Sequence, residues 1–308
     1  MTYDLAIIGG GPAAAAGGVY AARKQLKTIF ITADFGGQSV VSPEIQNWIG
    51  DIALSGEELA KKLGDHVKHY AGDILEVKSG ERVNKLTKTE TGFKIETEKG
   101  LTVEARAVLI ATGGRRRELT IPGAKEFDQK GLTYCASCDG PLFGDADVAV
   151  IGGGNAGLES AMQLLAYANK VYLLHRHGEF KGDPVTIATL KNNPKFVPLL
   201  NTEPVEVKGD KFVNGLTYRE LETGELKELP VTGIFVEIGF TPNTEFVKDL
   251  INLTPTGAVV VDAKNQRASL PGLWAAGDCT DGLYHQNNIA AGDAVKALED
   301  IYQWLHTN

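Results

Sequence analysis

The first patterned stretch, Asp4-Leu5-Ala6-Ile7-Ile8, is apolar at every position after the aspartate, which predicts a strand buried on both faces. It runs into Gly9-Gly10-Gly11-Pro12-Ala13-Ala14, an alanine-rich helix to about Gln25 and a second strand over Thr28–Thr32. The same grammar returns later. Asp147–Ile151 leads to Gly152-Gly153-Gly154-Asn155-Ala156-Gly157, a helix to about Asn169 and a strand over Lys170–His175. Each copy is followed by hairpin signals: residues 92–96 and 101–104 around Lys99-Gly100, and residues 212–221 with a turn at Thr223-Gly224. Both stretches then reach a buried strand capped by glycine, at residues 107–113 and 233–239. The tail carries a strand pattern at residues 259–261, the run Leu273-Trp274-Ala275-Ala276-Gly277-Asp278, and a helix from about Asn288 to Leu305. Ile289, Val295, Leu298, Ile301, Tyr302 and Leu305 mark that helix's apolar face.

At 308 residues the chain is long enough for two domains, each with its own core. Two copies of one β-α-β unit, with crossings near residues 114–117 and 239–243, place the second domain inside the first. The expected architecture is α/β with two Rossmann-like dinucleotide-binding domains in three ββα layers. The first domain is expected over residues 1–115 and 244–308, the second over residues 116–243. The 36 glycines cluster at strand ends rather than in linkers, which favours nucleotide binding. A net charge of -8 argues against a nucleic-acid groove or an anionic membrane surface as the main partner. No apolar run approaches the roughly 18 to 20 residues that a membrane helix needs. Because a strand pattern begins at Tyr3, no signal peptide is expected, and the expected location is the cytoplasm.

A glycine-rich turn after a buried strand allows the tight turn, lets backbone approach a pyrophosphate, and aims a helix N-terminus at the negative charge. Both copies have the strand before and the helix after. In the first, Ala14 replaces the third glycine, and no acid ends the second strand to hold a ribose hydroxyl; the nearest is Asp34. Phe35-Gly36-Gly37-Gln38 just beyond offers flexible backbone and an amide beside a large ring system. In the second, the strand ends His175-Arg176-His177, with Lys181 further on. Cations at this place favour the 2′-phosphate of NADPH over NADH; the bland alternative is a solvated basic loop.

Cys135 and Cys138 sit three apart in Cys135-Ala136-Ser137-Cys138-Asp139, before the second unit. A Cys-x-x-Cys at a helix start brings both sulfurs within disulfide reach, and the helix dipole favours thiolate. Asp139 is placed to deliver a proton to a leaving thiolate. Zinc would need two more ligands, and the remaining cysteine, Cys279, lies in a glycine-acid turn without paired histidines, so no metal is expected. A structural disulfide fits poorly with a cytoplasmic protein. A cycling redox disulfide is the better account.

With these motifs assembled, the chain closely resembles the low-molecular-weight thioredoxin reductase family over essentially its whole length. Further carriers of the resemblance are Asn47-Trp48-Ile49-Gly50, Ala111-Thr112-Gly113, Ala275-Ala276-Gly277-Asp278 and Pro242-Asn243-Thr244. The resemblance implies that Gly9, Gly11 and Ala14, with Pro12 and Ala13 between them, cradle the pyrophosphate of FAD. It places Gly37, Gln38 and Asn47 near the flavin, and Asp278 on its ribityl or pyrophosphate region. Ala111, Thr112, Gly113, Gly277, His285, Gln286 and Asn287 join that site. It assigns Gly152, Gly154, Asn155, Ala156, His175, Arg176, His177 and Lys181 to the nicotinamide cofactor. Cys138 would face the flavin, Cys135 would attack the partner's disulfide, and Asp139 would be the acid. In that family an acid after the second strand is normally missing, the enzymes are homodimers, and the nucleotide domain rotates between two poses. The chain departs from the family where two arginines after the histidine and a third further on read Arg176, His177 and Lys181. It departs again where an Arg-Gln pair beside the flavin reads His285-Gln286. Residues 135–143 also resemble the flavoprotein of the alkyl hydroperoxide reductase system, which carries a further thioredoxin-like domain. The implied activity moves electrons from NADPH through FAD and the cysteine pair to a thioredoxin-like small redox protein. Alternatives are an NADH- or ferredoxin-dependent reductase, a dithiol oxidase using oxygen, and a flavin-bearing redox sensor.

Overall fold

The computed structural model describes residues 2–42 and 44–307, and the chain separates into two compact units, Met1–Arg115 with Thr241–Asn308, and Arg116–Phe240. In the first unit β1 (Thr2–Ile8), β2 (Thr28–Thr32) and β3 (Leu75–Ser79) lie parallel in the order β3-β2-β1, with β6 (Thr102–Ile110) on the other side of β1. Alternate residues of these strands enter two different cores. Leu5, Ile7, Phe30 and Leu109 face α1 (Pro12–Arg23) and the C-terminal helix α6 (Asn287–Thr307); Ala6, Ile8, Ile29, Ile31, Val108 and Ile110 face the opposite side. Burial on both faces is why these strands read as unbroken apolar runs rather than as alternation.

β6 has two roles. Its first half pairs antiparallel with β5 (Phe93–Thr97), which pairs with β4 (Val83–Lys88), while residues 108–110 pair parallel with β17 (Leu273–Ala275). The hairpin strand expected at 101–104 and the glycine-capped strand at 107–113 are therefore one element. Its burial changes from exposed-intermediate to continuous where its partner changes.

Two other expectations need correction, and one helix was not expected. α6 buries an alanine face, Ala290, Ala294 and Ala297 with Leu298, Ile301 and Leu305, whereas Ile289 is 40% exposed. Alanines bring it close against the alanine-rich α1; of the expected apolar face Leu298, Ile301 and Leu305 share that core, with Tyr302 packed against it, and Ile289 stands outside it. Residues 259–261 form only isolated bridges through Val259, to Leu253 and Thr280, not a strand. α2 (Gly56–His69), which the apolar pattern did not announce, starts at a reciprocal cap in which Ser55 and Glu58 bond each other's backbone amides.

The second unit repeats the plan. β8 (Leu132–Thr133) and a single turn α3 (Ala136–Asp139) precede β9 (Asp147–Ile151), α4 (Asn155–Leu164), β10 (Lys170–His175), α5 (Pro184–Lys191) and β11 (Phe196–Leu200). With β15 (Gly233–Val236) the parallel order is β11-β10-β9-β15-β8. An antiparallel meander of β12 (Thr202–Gly209), β13 (Val213–Glu220) and β14 (Leu226–Leu229) covers one face, and the helices cover the other. α4 stops at Leu164 rather than near Asn169. The Tyr167 carbonyl accepts from the Asp145 amide and the Asn169 amide donates to Ala146, turning the chain back toward β9. The two passages between units carry β7 (Gly114–Arg116) and β16 (Phe240–Pro242), which pair with each other. Among the described residues no helix is long and apolar enough to cross a membrane.

Candidate active site

In the first unit, the loop from β1 to α1 opens a cleft of about 760 Å³. Gly9 holds φ at +133° and packs so tightly that a Cβ would lie 2.0 Å from the Ala111 carbonyl oxygen. The next residue is equally confined: the Gly36 amide donates to the Gly10 carbonyl at 2.8 Å, folding residues 34–37 over the loop. Gly11, by contrast, has only Gly37 Cα within reach, at 3.9 Å, and caps α1 in extended conformation with Pro12 in the first turn. The result is an open helix N-terminus on a rigid, side-chain-free wall, suited to a pyrophosphate. Gly9→Ala is expected to lower unfolding free energy by about 2 kcal/mol or more, since it combines strain with a backbone clash. A denaturant melt checks this, and an unchanged midpoint would show that the loop yields.

Of the residues expected here, Gly9, Gly11, Pro12, Ala13, Gly37, Gln38, Ala111, Thr112, Gly113, Gly277, Asp278 and Asn287 line this one cleft. Thr112 and Gly113 are fixed by the tail. The Thr112 hydroxyl donates to the Asn243 carbonyl at 2.7 Å, the Asn243 side-chain amide donates to the Thr112 carbonyl at 3.1 Å, and the Asn243 backbone amide donates to Gly113 at 3.0 Å. Ala14 lies behind the wall, fully buried in the core. Asn47, His285 and Gln286 do not line the cleft. Asn47 Nδ2 instead donates to Gln286 Oε1 at 3.2 Å. The pattern missed Glu81, Arg82, Asn84 and Glu98, which line the cleft from the start of β4 and the end of β5. They read as solvated strand ends and carry no local signal. Cys279 is fully buried behind the cleft; desolvation pushes its thiol up to about 11, and its Sγ donates weakly to Ala276 and Ile110 carbonyls. It is a packing residue.

In the second unit Gly152 repeats the first turn, with φ at +122° and a Cβ position 2.2 Å from the Glu237 carbonyl oxygen. Gly154 caps α4, followed by Asn155 and Ala156 in its first turn, and the Asn155 side chain accepts from the Asp183 amide at 2.8 Å. His175 does not present a charge. Its Nδ1 accepts from the Gly153 amide at 3.2 Å, and its Nε2 is buried without a partner among the described residues. Desolvation, then the neighbouring His177, Lys181 and Arg176, push its pKa down, so the ring is a neutral brace for the loop. Lys181 is held beside the loop by its amide, which donates to Gly153 at 2.9 Å. Arg176 and Lys181 are exposed and pair with no carboxylate among the described residues; Arg176 Nε donates to His177 Nε2 at 3.2 Å.

Cys135 and Cys138 form a disulfide with Cα atoms 5.3 Å apart, both side chains half-buried. Cys135 caps α3, and its Sγ accepts from the Cys138 amide at 3.2 Å. That amide points at the sulfur that would carry thiolate. Asp139 is buried at 5% exposure. Desolvation pushes its carboxyl above the usual range, opposed by the Thr133 hydroxyl bonded to Oδ2 and by Arg116; Oδ1 has no partner among the described residues. A carboxyl in this state holds its proton to higher pH than a free aspartate does. No group of three or more potential metal ligands is found among the described residues.

The family described as pyridine nucleotide-disulphide oxidoreductase matches residues 3–294. The chain is 40% identical over 306 residues to a Bacillus subtilis protein named NADH dehydrogenase, covering 99% of this chain and 59% of that protein. It is 39% identical over 307 residues to a Pseudomonas aeruginosa protein named as a subunit of alkyl hydroperoxide reductase, covering 98% of this chain and 58% of that protein. The chain thus spans about three-fifths of the length of these curated relatives. Among solved structures, thioredoxin reductase from Streptococcus pyogenes superposes with a TM-score of 0.91 at 31% identity, covering 100% of this chain and 99% of that one. Thioredoxin reductase from Giardia duodenalis gives 0.93 at 31% identity, with 99% of both chains covered.

Proposed function

This chain belongs to the pyridine nucleotide-disulphide oxidoreductase family and has the fold of the low-molecular-weight thioredoxin reductases. From that premise we propose that it reduces the disulfide of a small thioredoxin-like protein with electrons from NADPH, by way of FAD. The observation that carries this reading is the half-exposed Cys135–Cys138 disulfide beside the buried Asp139, in the same compact unit as the second glycine loop. The glycine-walled cleft of the first unit, about 760 Å³ around a helix N-terminus, fits FAD, and the loop at Gly152–Gly157 fits the nicotinamide dinucleotide. When bound, these cofactors supply hydride and electron-pair chemistry that no side chain possesses.

The protein's own residues then carry out thiol–disulfide exchange. Two electrons and two protons convert the pair to a dithiol. The Cys135 sulfur, facing the Cys138 amide, attacks one sulfur of the partner's disulfide, and the other sulfur leaves as thiolate. Cys138 attacks Cys135 of the mixed disulfide, releasing the partner's second thiol and closing the pair again. Asp139 delivers the proton that a leaving thiolate needs.

For the donor, Arg176 and Lys181 support NADPH, while His175 is occupied with the loop. Arg176→Ala is expected to weaken NADPH binding about tenfold, the loss of one charge-assisted phosphate contact, and to leave NADH unchanged. Steady-state KM values for both cofactors check it; equal changes for the two would remove Arg176 from the 2′-phosphate site. The relatives named for alkyl hydroperoxide reductase favour a second partner class, a peroxiredoxin-type protein. Anaerobic titration with NADPH, NADH and reduced ferredoxin, followed by thioredoxin-like and peroxiredoxin-like disulfides, tests donor and acceptor together. Reduction of none of these acceptors, with oxygen uptake driven by a small dithiol alone, would replace the reductase by an oxidase. We read the exposed Val41, Ile49, Ile52 and Leu283 of the first unit as contacts of a homodimer.

A further inference from the structure

The parallel sheet of the second unit has the order β11-β10-β9-β15-β8, so the chain leaves β9 toward β10 on one side, and β15 joins β9 on the other. The crevice beyond the C-terminal ends of β9 and β15 is the switch point at which such a sheet takes its ligand. Glu237 stands there, directly after β15. Its amide donates to the Ile151 carbonyl at 2.8 Å, and its own carbonyl oxygen lies against Gly152, so its backbone is joined to the glycine loop. Its Oε1 accepts from the Ser160 hydroxyl of α4 at 2.7 Å, and no side chain among the described residues bonds Oε2. Burial raises its pKa first; Ser160 and Arg116 oppose this, and Glu159 adds to it. Glu237 is half-buried, and Oε2 is left to meet a donor from outside the fold.

The donor follows from the direction of a dinucleotide across this loop. Arg176 and Lys181 draw the adenosine half to the end of β10. β10 and β15 flank β9 on opposite sides, so the nicotinamide half falls over β15. We infer that Glu237 binds the nicotinamide nucleoside, accepting hydrogen bonds from its ribose hydroxyls through the oxygen that Ser160 leaves open. This rests on the reading that the second unit takes a nicotinamide dinucleotide.

The test is calorimetric binding of NADPH and of 2′,5′-ADP, which carries only the adenosine half, to the full chain. Glu237→Leu keeps the approximate volume and removes a half-buried carboxyl, so the fold is retained. It is expected to weaken NADPH binding about tenfold and leave 2′,5′-ADP unchanged. Glu237→Gln, which keeps an acceptor, is expected to stay within about threefold of the original protein for both ligands. Equal losses for the two ligands would show a merely structural role, through the loop, and overturn the inference. Unchanged NADPH binding in Glu237→Leu would overturn it as well. A wild-type chain that binds neither ligand would instead sink the function proposed above.

Discussion

Replacing Cys138 by Ser is expected to lower disulfide turnover by about a thousandfold or more, while the bound flavin is still reduced by NADPH at close to its original rate. The first effect follows because a serine hydroxyl neither forms a disulfide with Cys135 nor releases a mixed disulfide. The second follows because the glycine loops and the cleft of the first unit contain neither cysteine. Anaerobic stopped-flow at the flavin band, run beside steady-state reduction of a protein disulfide, reads both halves of the prediction. Turnover surviving at even a few per cent would mean that electrons reach the partner by another route. Loss of flavin reduction would mean that the substitution had damaged the cofactor sites.

Asp139→Asn is expected to cost about a hundredfold in turnover and yet to stabilise the protein above neutral pH. The activity loss is the usual contribution of a positioned acid. Burial holds the Asp139 pKa above that of a free aspartate, so its proton is available up to higher pH and is lost as pH rises through the raised value. Wild-type turnover therefore has an alkaline limb that the Asn variant lacks. The sign for stability follows from the same shift. The folded state holds this proton more tightly than the unfolded state, so the group does no harm below the unfolded value near about 3.9. Stability is then lost as pH rises through the folded pKa. Asn stays neutral throughout and escapes that loss. Melting curves at pH 4 and pH 8 check it: the variant's advantage should appear only at the higher pH. A variant less stable at both would mark Asp139 as a structural group whose bond with Thr133 matters more than its proton.

Much of the parallel framework was legible because burial on both faces writes itself into consecutive residues. β2, β9 and β10 fall where the apolar runs lie, at Thr28–Thr32, Asp147–Ile151 and Lys170–His175. The glycine turns were legible for a related reason: Gly9 and Gly152 each adopt a backbone angle and a contact that another residue would obstruct. What escaped depends on partners distant in sequence. No local pattern tells that β6 changes neighbours midway, or that α6 turns alanines rather than Ile289 toward α1. His175 looked like part of a cationic clamp until its ring was seen under Gly153. Glu237 lies inside the stretch 233–239 that reads as a buried strand, and only the pairing of β15 with β9 sets it beside the glycine loop.

The fork in β6 also sets an order of assembly. Its upper half takes β17 as neighbour, and the core behind it takes α6, both encoded after the whole of the second unit. A nascent chain that has emerged as far as residue 240 therefore holds a first unit with an open sheet edge and an uncovered alanine face. The second unit, continuous in sequence, already has all of its core. The inner unit is thus free to fold during synthesis, while the outer one waits for the last part of the chain. The cleft proposed for FAD, whose walls include Ala276, Gly277, Asp278 and Asn287, is completed only then, so on that proposal cofactor capture is a late step of biosynthesis.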